Sequence, residues 1–451
     1  MDFIGKTFII AGMGVSGQGA VSLLKREDVN LVLFDANERL DKEEFRKRMG
    51  LDDGTPIYLG EFPRHELDLA DYLVLSPGIS VETEFVREAE KAGVLITGEI
   101  ELAFQFNKGR LIAITGTNGK TTTTALTGAI MKEQQEQVFV VGNIGTSFAG
   151  AVLNTTRDSV TVAEISSFQL ETADTFRPDV SGVLNVTPDH LDRHHTMEKY
   201  LETKMKIAAN QGKEDVCVLN YEDERLRNYA PRLDCQIIFF SSGHELQDGI
   251  YLDEDKIIIR RGGEKVVFCR TGELNLLGKH NYENVMAAIA LTMATGVPLD
   301  VIRSAVLRFK SVEHRIEYVA TKGGVAYYND SKGTNTDAAI KAIHAMPGRT
   351  VLIAGGYDKG AVYDEWVEAF GDKVTCLILM GATRDKIART AKEFGHTNIL
   401  FVESMEEAVK AASKEAVSGE FVLLSPACAS WGMFKNYEER GRIFKDCVNR
   451  I

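Results

Sequence analysis

Short apolar runs recur along the chain, and most end in a polar or glycine-bearing loop that leads into residues of helical periodicity. Such runs read as strands covered on both faces, because a strand with one wet face alternates apolar and polar residues. The first part of the chain carries them at Thr7–Ala11, Leu31–Phe34 and Tyr72–Leu75, followed by a helical stretch, Glu99–Phe106. The middle part carries Leu111–Thr115, Gln137–Val141, Val160–Glu164, Val180–Val186 and Val216–Leu219. Lys256–Arg260 and Lys265–Arg270 flank Arg261-Gly262-Gly263-Glu264 and read as a hairpin. Helical patterns at Met197–Asn210, Asn281–Thr295 and Asp300–Phe309 complete that part. The last part opens with a hairpin around Gly323-Gly324, then Thr350–Ala354, Val374–Met380, Asn398–Val402 and Phe421–Ser425, with helices between them. Strands that alternate with helices predict α/β domains with mostly parallel sheets. At roughly 150 residues per domain, the 451 residues suggest three domains, with boundaries at 1–107, 108–311 and 312–451.

The loops after these strands carry the candidate chemistry. The run Ile112-Ala113-Ile114 leads into Thr115-Gly116-Thr117-Asn118-Gly119-Lys120-Thr121-Thr122. A strand, a glycine-bearing loop and a helix opened by Lys-Thr form a phosphate cradle, in which backbone N–H groups and the helix N-terminus face the anion. Lys120 is placed to reach β/γ-phosphates and the Thr121 hydroxyl to bind Mg²⁺, which makes the central domain P-loop-like. The strict loop pattern has glycine where this chain has Ile114. Glu164, at the carboxyl end of its strand, is the candidate acidic partner for the metal.

Gly12, Gly14 and Gly17 follow a strand, and Asp35 stands 18 residues past Gly17. This Rossmann-like fingerprint lets a diphosphate approach the backbone and suits either a nicotinamide dinucleotide or a nucleotide sugar such as a UDP-sugar; the glycines alone also suit a purely structural turn. His190, at the end of another strand, is either a metal or phosphate contact or an idle loop histidine. Lys204, within a helical pattern, is either a solvated surface charge or a desolvated amine. A desolvated amine is neutral and reacts with CO₂ to give a carbamate, an anionic metal ligand. In the last domain the loops Asn329–Asn335, Ala354–Gly360 and Ser425–Ser430 each follow an apolar strand and read as one site. There Asp330 suits a ribose hydroxyl, Lys332 a carboxylate, and Ser430 with the final helix N-terminus a second carboxylate.

Composition narrows the partners. The net charge is −13, with a pI of about 5.3, which argues against nucleic acid or anionic membranes. The six cysteines are widely spaced with no C-x-x-C pair, which fits a reducing cytosol rather than a disulfide framework or a zinc site. No signal-peptide pattern opens the chain and no apolar run is long enough to span a bilayer, so a cytoplasmic location without membrane insertion is expected.

Taken together, the motifs resemble the Mur ligase family across the whole chain. The family pattern T-G-T-x-G-K-[ST] fits Thr115–Thr121 and accounts for Ile114. Gly142-Asn143-Ile144-Gly145, Glu164–Leu170, Asn185–Arg193, His280–Asn284, His314-Arg315 and Asp330–Asn335 resemble family motifs in the family's order. Within the family, Gly12–Gly17, Ser76-Pro77-Gly78-Ile79, Ser425–Ser430 and Phe434–Gly441 resemble the branch that adds D-glutamate, and no Asp-Asn-Pro-Arg of the diamino-acid branch is present.

The resemblance implies a three-domain ATP-dependent amide ligase of cell-wall precursor synthesis. Its N-terminal domain would bind the UDP substrate, its central domain ATP, and its Rossmann-like C-terminal domain D-glutamate and nucleotide. The carboxylate of UDP-N-acetylmuramoyl-L-alanine would be phosphorylated, and the acyl phosphate attacked by the amine of D-glutamate.

By resemblance, Gly116, Thr117, Asn118, Gly119, Lys120, Thr121 and Thr122 hold the phosphates. Thr121 and Glu164 hold one Mg²⁺, and His190 and a carbamylated Lys204, four residues after Tyr200, hold a second. Asn143, Ser166 and Arg193 lie near the muramoyl-alanine end, and Asn281 and Asn284 contact adenine. Arg315 and Asp330 serve phosphates and ribose, while Lys332, Thr334, Ser430 and Tyr437 hold D-glutamate. Gly14, Val15, Ser16, Asp35, Ser76 and Gly78 serve the uridine diphosphate. Asp35-Ala36-Asn37 lacks a Thr-Arg found in some relatives, and Tyr437 replaces a phenylalanine. The competing readings are a dehydrogenase built on the N-terminal fingerprint, a family ligase with another acceptor, and a nucleotide-binding switch without catalysis. A monomer is expected, with hinge motion near residues 108 and 312.

Overall fold

The computed structural model describes residues 3–143 and 146–451. Ile144 and Gly145, half of one family-like motif, lie outside the described residues. The chain divides into two compact units, one of Met1–Thr271 with Glu283–Leu307 and the other of Gly272–Tyr282 with Arg308–Ile451. The second unit thus begins close to the boundary read near residue 312, but it also takes in Gly272–Tyr282, which the sequence reading left in the central domain.

The first unit holds two sheets. The N-terminal one contains β1 (Thr7–Ala11), β2 (Asn30–Asp35), β3 (Ile57–Leu59), β4 (Tyr72–Leu75) and β5 (Leu95–Gly98). Their order is β3-β2-β1-β4-β5, and every pairing is parallel. The central sheet contains β6 (Arg110–Thr115), β7 (Val138–Gly142), β8 (Val160–Glu164), β9 (Val180–Val183), β10 (Val216–Asn220) and β11 (Gln236–Ser241). It continues with β12 (Gly249–Asp253), β13 (Lys256–Arg261) and β14 (Glu264–Arg270), in the order β14-β13-β12-β11-β10-β9-β6-β8-β7. The expected hairpin of β13 and β14 is there, joined antiparallel to β12. One core runs continuously from Phe8 and Ile10 of the first sheet, through Phe148 and Ile165, to Leu219 and Leu226 of the central region. Each such side chain contributes about 1.5–3 kcal/mol on burial, so the two sheets of this unit share one stabilising interior.

The second unit is built on β15 (Glu317–Lys322), β16 (Val325–Asn329), β17 (Thr350–Ala354), β18 (Val374–Leu379), β19 (Ile399–Phe401) and β20 (Phe421–Leu424). The order is β15-β16-β20-β17-β18-β19. Only the β15–β16 hairpin is antiparallel. Apolar clusters cover both faces, with Trp366 and Leu352 on one side and Ile353 and Phe444 on the other.

Two elements differ from the sequence reading. The strand expected over Val180–Val186 ends at Val183, because Leu184–Thr187 leaves the sheet to support the glycine loop. The helix expected over Met197–Asn210 ends at Met205 and tightens into a 3₁₀ turn at Lys206–Ala208.

Candidate functional site

In the first unit β6 ends at Thr115 and the chain turns through Gly116–Gly119 into the helix Lys120–Lys132. Gly119 caps that helix at φ 87°, and a Cβ there would fall 2.2 Å from Asn284 Oδ1, so only glycine fits. Asn185 braces the turn from the neighbouring strand. Its backbone oxygen accepts from Thr117 N (2.9 Å), its Oδ1 from Asn118 N (2.8 Å), and its Nδ2 donates to Asn118 O (3.1 Å).

Two lysines meet at this turn. Lys120 Nζ donates to Gly116 O (2.8 Å) and Thr117 O (2.9 Å), and Lys204 Nζ donates to Gly116 O (2.9 Å). Lys204 is 1% exposed and its ammonium lies 4.5 Å from the Tyr200 ring centroid. Burial, and then the charge of Lys120, hold its pKa well below the usual lysine range. Lys204 is therefore the desolvated amine and not the surface charge of the two sequence alternatives.

Glu164 sits where β8 ends, in register with Ile114 of β6. Asn143 Nδ2 donates to its Oε1 (2.9 Å). Its Oε2 is buried and has no hydrogen-bond donor among the described residues. A buried carboxylate oxygen without a donor is costly unless a cation takes it. Thr121 lies in the first turn of the loop helix, and a hydroxyl with a carboxylate is a donor set of the kind a hard divalent cation accepts. Asn284 is buried and lies within reach of the Thr123 hydroxyl (3.4 Å). His190 is half exposed with Nε2 3.5 Å from Asp189 Oδ2, its backbone in the left-handed region at φ 52°.

Arg193 is already committed. Its Nε donates to both Glu171 oxygens (3.0 and 3.1 Å). Nη1 donates to Pro77 O (2.8 Å) and Nη2 to Ile79 O (2.8 Å), and the guanidinium stacks 4.3 Å over Phe168. It thus ties the Ser76–Ile79 turn, which includes Gly78, to the central region. Ser166 caps the short turn of helix Ser167–Leu170 in a reciprocal box with Gln169.

At the N-terminal glycines a Cβ on Gly17 would fall 1.8 Å from Gly12 O, which explains the spacing. Ser76 Oγ donates to Gly12 O (3.2 Å). Asp35 accepts from Met13 N (2.7 Å) and Asn37 N (2.9 Å), so its carboxylate shapes the turn itself. Gly14 precedes the helix Val15–Leu24, whose first turn, with Val15 and Ser16, holds no acidic side chain. That leaves its N-terminus suited to an anion.

The second unit brings together the residues read as acceptor contacts. Asp330 N donates to Leu424 O (2.7 Å), and Ser425 Oγ donates to Asp330 Oδ2 (2.7 Å). Burial raises the Asp330 carboxyl to about 7, with Ser425 and Arg315 opposing. Thr334 N donates to Lys332 O (2.9 Å), and Lys332 Nζ lies 5.4 Å over the Tyr437 ring. Ser430 is buried. Tyr437 opens the last helix, Tyr437–Arg450, behind the Asn436 cap. Asn281, also in this unit, donates to Leu277 O (2.8 Å).

Several residues escaped the sequence reading. Asn185 braces the glycine loop at Thr117 and Asn118. His194 is 1% exposed, lies 3.1 Å from Ser167 Oγ, and is held neutral by burial and by Lys204 and Arg193, with a pKa of about 4. In the second unit Trp431, half exposed beside Ser430, packs edge-on against Tyr357 (5.5 Å) and under Lys359 (4.8 Å). An exposed tryptophan next to a strand-end loop was the available signal.

Known proteins match the chain along its length. Three family models fit successive parts: a Mur ligase MurD-like N-terminal domain at residues 6–98, a Mur ligase middle domain at 114–292, and a Mur ligase glutamate ligase domain at 314–428. The UDP-N-acetylmuramoylalanine–D-glutamate ligase of Lachnoclostridium phytofermentans is 54% identical, covering 100% of this chain and 99% of that protein. The ligase of the same description from Lachnospira eligens is also 54% identical, covering 100% of both. Among solved structures, the MurF ligase of Thermotoga maritima in complex with ADP matches with a TM-score of 0.60 at 18% identity, over 100% of this chain and 96% of that one. The UDP-N-acetylmuramate–alanine ligase MurC of the same organism matches with a TM-score of 0.60 at 18% identity, over 99% of each. At that identity the likeness concerns the fold.

Proposed function

The chain belongs to the Mur ligase family, on the branch of the UDP-N-acetylmuramoylalanine–D-glutamate ligases, and we propose that it joins D-glutamate to UDP-N-acetylmuramoyl-L-alanine at the expense of ATP, in peptidoglycan precursor synthesis. The observation that carries this reading is identity of 54% that runs through the whole chain and not only through the phosphate loop. An oxygen of the L-alanine carboxylate attacks the γ-phosphorus of ATP, the bond to ADP breaks, and an acyl phosphate forms. The amine of D-glutamate attacks the acyl carbon and loses a proton. The tetrahedral adduct expels phosphate as the amide forms. Such chemistry is mostly positioning and charge neutralisation.

In this reading Lys120 turns from the Gly116 and Thr117 carbonyls to the β/γ-phosphates, within the backbone cradle of residues 116–122. Thr121 and Glu164 would hold one magnesium ion, and His190 with a carbamate on Lys204 the second. Bound there, the ions would neutralise the charge that gathers on two phosphates and a carboxylate. The low pKa of Lys204 supports the carbamate: only the neutral amine attacks CO₂, forming an N–C bond and releasing a proton. Asn143, Ser166 and Arg193 would flank the muramoyl-alanine end, and Arg193 would do so by fixing the Ser76–Ile79 turn. Gly14, Val15, Ser16, Asp35, Ser76 and Gly78 would form the uridine diphosphate site, with Asp35 acting through the backbone it orients. Asn281 and Asn284 would serve adenine, Arg315 and Asp330 the phosphates and ribose. Lys332, Thr334, Ser430 and Tyr437 would serve D-glutamate.

Three domains with boundaries at 1–107, 108–311 and 312–451 fit these roles, in a monomer working in the cytoplasm. Among the described residues no helix is long and apolar enough to cross a membrane. The test is product mass after incubation with MgATP, the UDP donor, and D-glutamate, L-glutamate or other amino acids. An amide with D-glutamate alone is expected. An amide with a different amino acid overturns the acceptor, and no amide with any overturns the reaction.

A further inference from the structure

Arg440 lies on the inner face of the last helix and is 1% exposed. Its Nε donates to Ser331 Oγ (3.0 Å), its Nη2 to Ser331 O (2.8 Å) and its Nη1 to Cys428 O (3.1 Å). Ser331 Oγ in turn donates to Tyr437 O (2.8 Å). A Cβ on Gly356 would come 3.4 Å from Nη1, so a third loop passes beside the same group. One planar side chain therefore touches the loop before Lys332, the loop before Ser430 and the strand-end turn at Gly355-Gly356. Lys could not do this, because an ammonium lacks the fixed fork that bonds two carbonyls and a hydroxyl in different directions.

All hydrogen bonds that Arg440 makes within the described residues go to uncharged oxygens. The nearby acid, Asp330, has its own carboxyl occupied by Ser425 Oγ (2.7 Å) and Ile316 N (3.3 Å). A buried cation with no carboxylate on it is expensive to maintain, and removing it would leave two carbonyls and a hydroxyl without their donor.

We infer that Arg440 is a positioning residue for the acceptor: by tying Ser331 to Cys428 it sets the spacing between Lys332 and Ser430. The inference rests on the D-glutamate reading above and adds to it the source of the pocket's rigidity. It concerns the acceptor alone. The UDP donor binds through residues of the N-terminal and central sheets, so its constant should not follow it; Asp330, read as an ATP contact, adjoins Ser331, so the constant for ATP is no control.

The test measures KM for D-glutamate, for ATP and for the UDP donor, together with kcat, in Arg440→Lys and Arg440→Ala. Loss of one forked, charge-assisted set predicts a rise in D-glutamate KM of about 10- to 100-fold, with KM for the UDP donor unchanged. Arg440→Lys, which keeps a cation, should lie between the wild type and Arg440→Ala, and millimolar guanidinium should restore part of the D-glutamate affinity of Arg440→Ala. If Arg440→Ala does not fold, Arg440→Lys alone decides. An unchanged D-glutamate KM in a folded variant, or an equal rise in KM for the UDP donor, overturns the inference. The wild type in the same assay separates the two claims: no amide from the wild type overturns the functional reading itself.

Discussion

Lys120 and Lys204 donate to the same oxygen, the carbonyl of Gly116, at 2.8 and 2.9 Å. The carbonyl has two lone pairs and can accept both, but two ammonium groups cannot cheaply share a site from which water is excluded. Lys204, the more deeply placed, is the one whose pKa burial and the charge of Lys120 push down, which favours the neutral amine that the proposed carbamate requires. Lys204→Ala should therefore lose about 100-fold or more in kcat, and short carboxylic acids should restore part of it by standing in for the carbamate. Depleting bicarbonate should slow the wild type and leave the variant unaffected. Initial rates with and without bicarbonate check this.

Glu164 keeps one oxygen buried without a donor among the described residues while Asn143 holds the other. Glu164→Gln removes the anion but not the shape. It should cut turnover by roughly 100-fold, since several kcal/mol of charge stabilisation would depend on the ion proposed to be held there, and shift the magnesium dependence upward. The unfolding midpoint should stay or rise, because a buried charge has been removed. A magnesium titration of phosphate release, with a thermal melt alongside, reads both.

Arg193 and Glu171 are both nearly buried, at 12% and 10% side-chain exposure. Arg193→Ala leaves Glu171 without its cation and frees the Pro77 and Ile79 carbonyls. Stability should fall by about 3 kcal/mol, and KM for the UDP donor should rise about tenfold as the Ser76–Ile79 turn loosens. The double variant with Glu171→Ala should recover part of the stability but not the KM. Urea unfolding and steady-state kinetics distinguish the two effects.

Glu99 adds a pH dependence. Burial raises its carboxyl to about 7, opposed by bonds from Ala149 N, Gln169 and Phe148 N, and Ala149 N donates to Oε1 at 2.6 Å. A raised acid keeps its proton in the native state while the unfolded chain releases it. Stability should therefore fall as pH rises from about 4.5 to about 7, by an amount on the order of 3 kcal/mol at most, and the penalty should then stay constant. Glu99→Gln should remove that slope, which denaturant midpoints at pH 5 and pH 8 will show.

The sequence carried what is written locally. The glycine loop Gly116–Gly119, the lysine and threonine that follow it, and the acid at the end of β8 are all visible as short patterns. The glycines at 12 and 17 were visible too, because Gly17 must clear a carbonyl five residues away. What stayed hidden depends on partners distant in sequence. Arg440 reaches Ser331, 109 positions earlier, and Asn185 reaches Asn118, 67 positions earlier; neither has a local signature. β3 and β5 are too short, at three and four residues, to show a pattern. The strand at Val180 ended early because Asn185 is needed by the phosphate loop more than by the sheet. Asp35 occupied its expected place, but two backbone N–H groups take its carboxylate, a use that the fingerprint alone does not distinguish from ribose binding.

The most direct measurement of the central claim follows oxygen from the donor. UDP-N-acetylmuramoyl-L-alanine carrying ¹⁸O in both carboxylate oxygens is incubated with MgATP and D-glutamate, and the released phosphate is analysed by mass. An acyl phosphate predicts one ¹⁸O in each phosphate and one retained in the amide. Unlabelled phosphate alongside amide product would contradict the account.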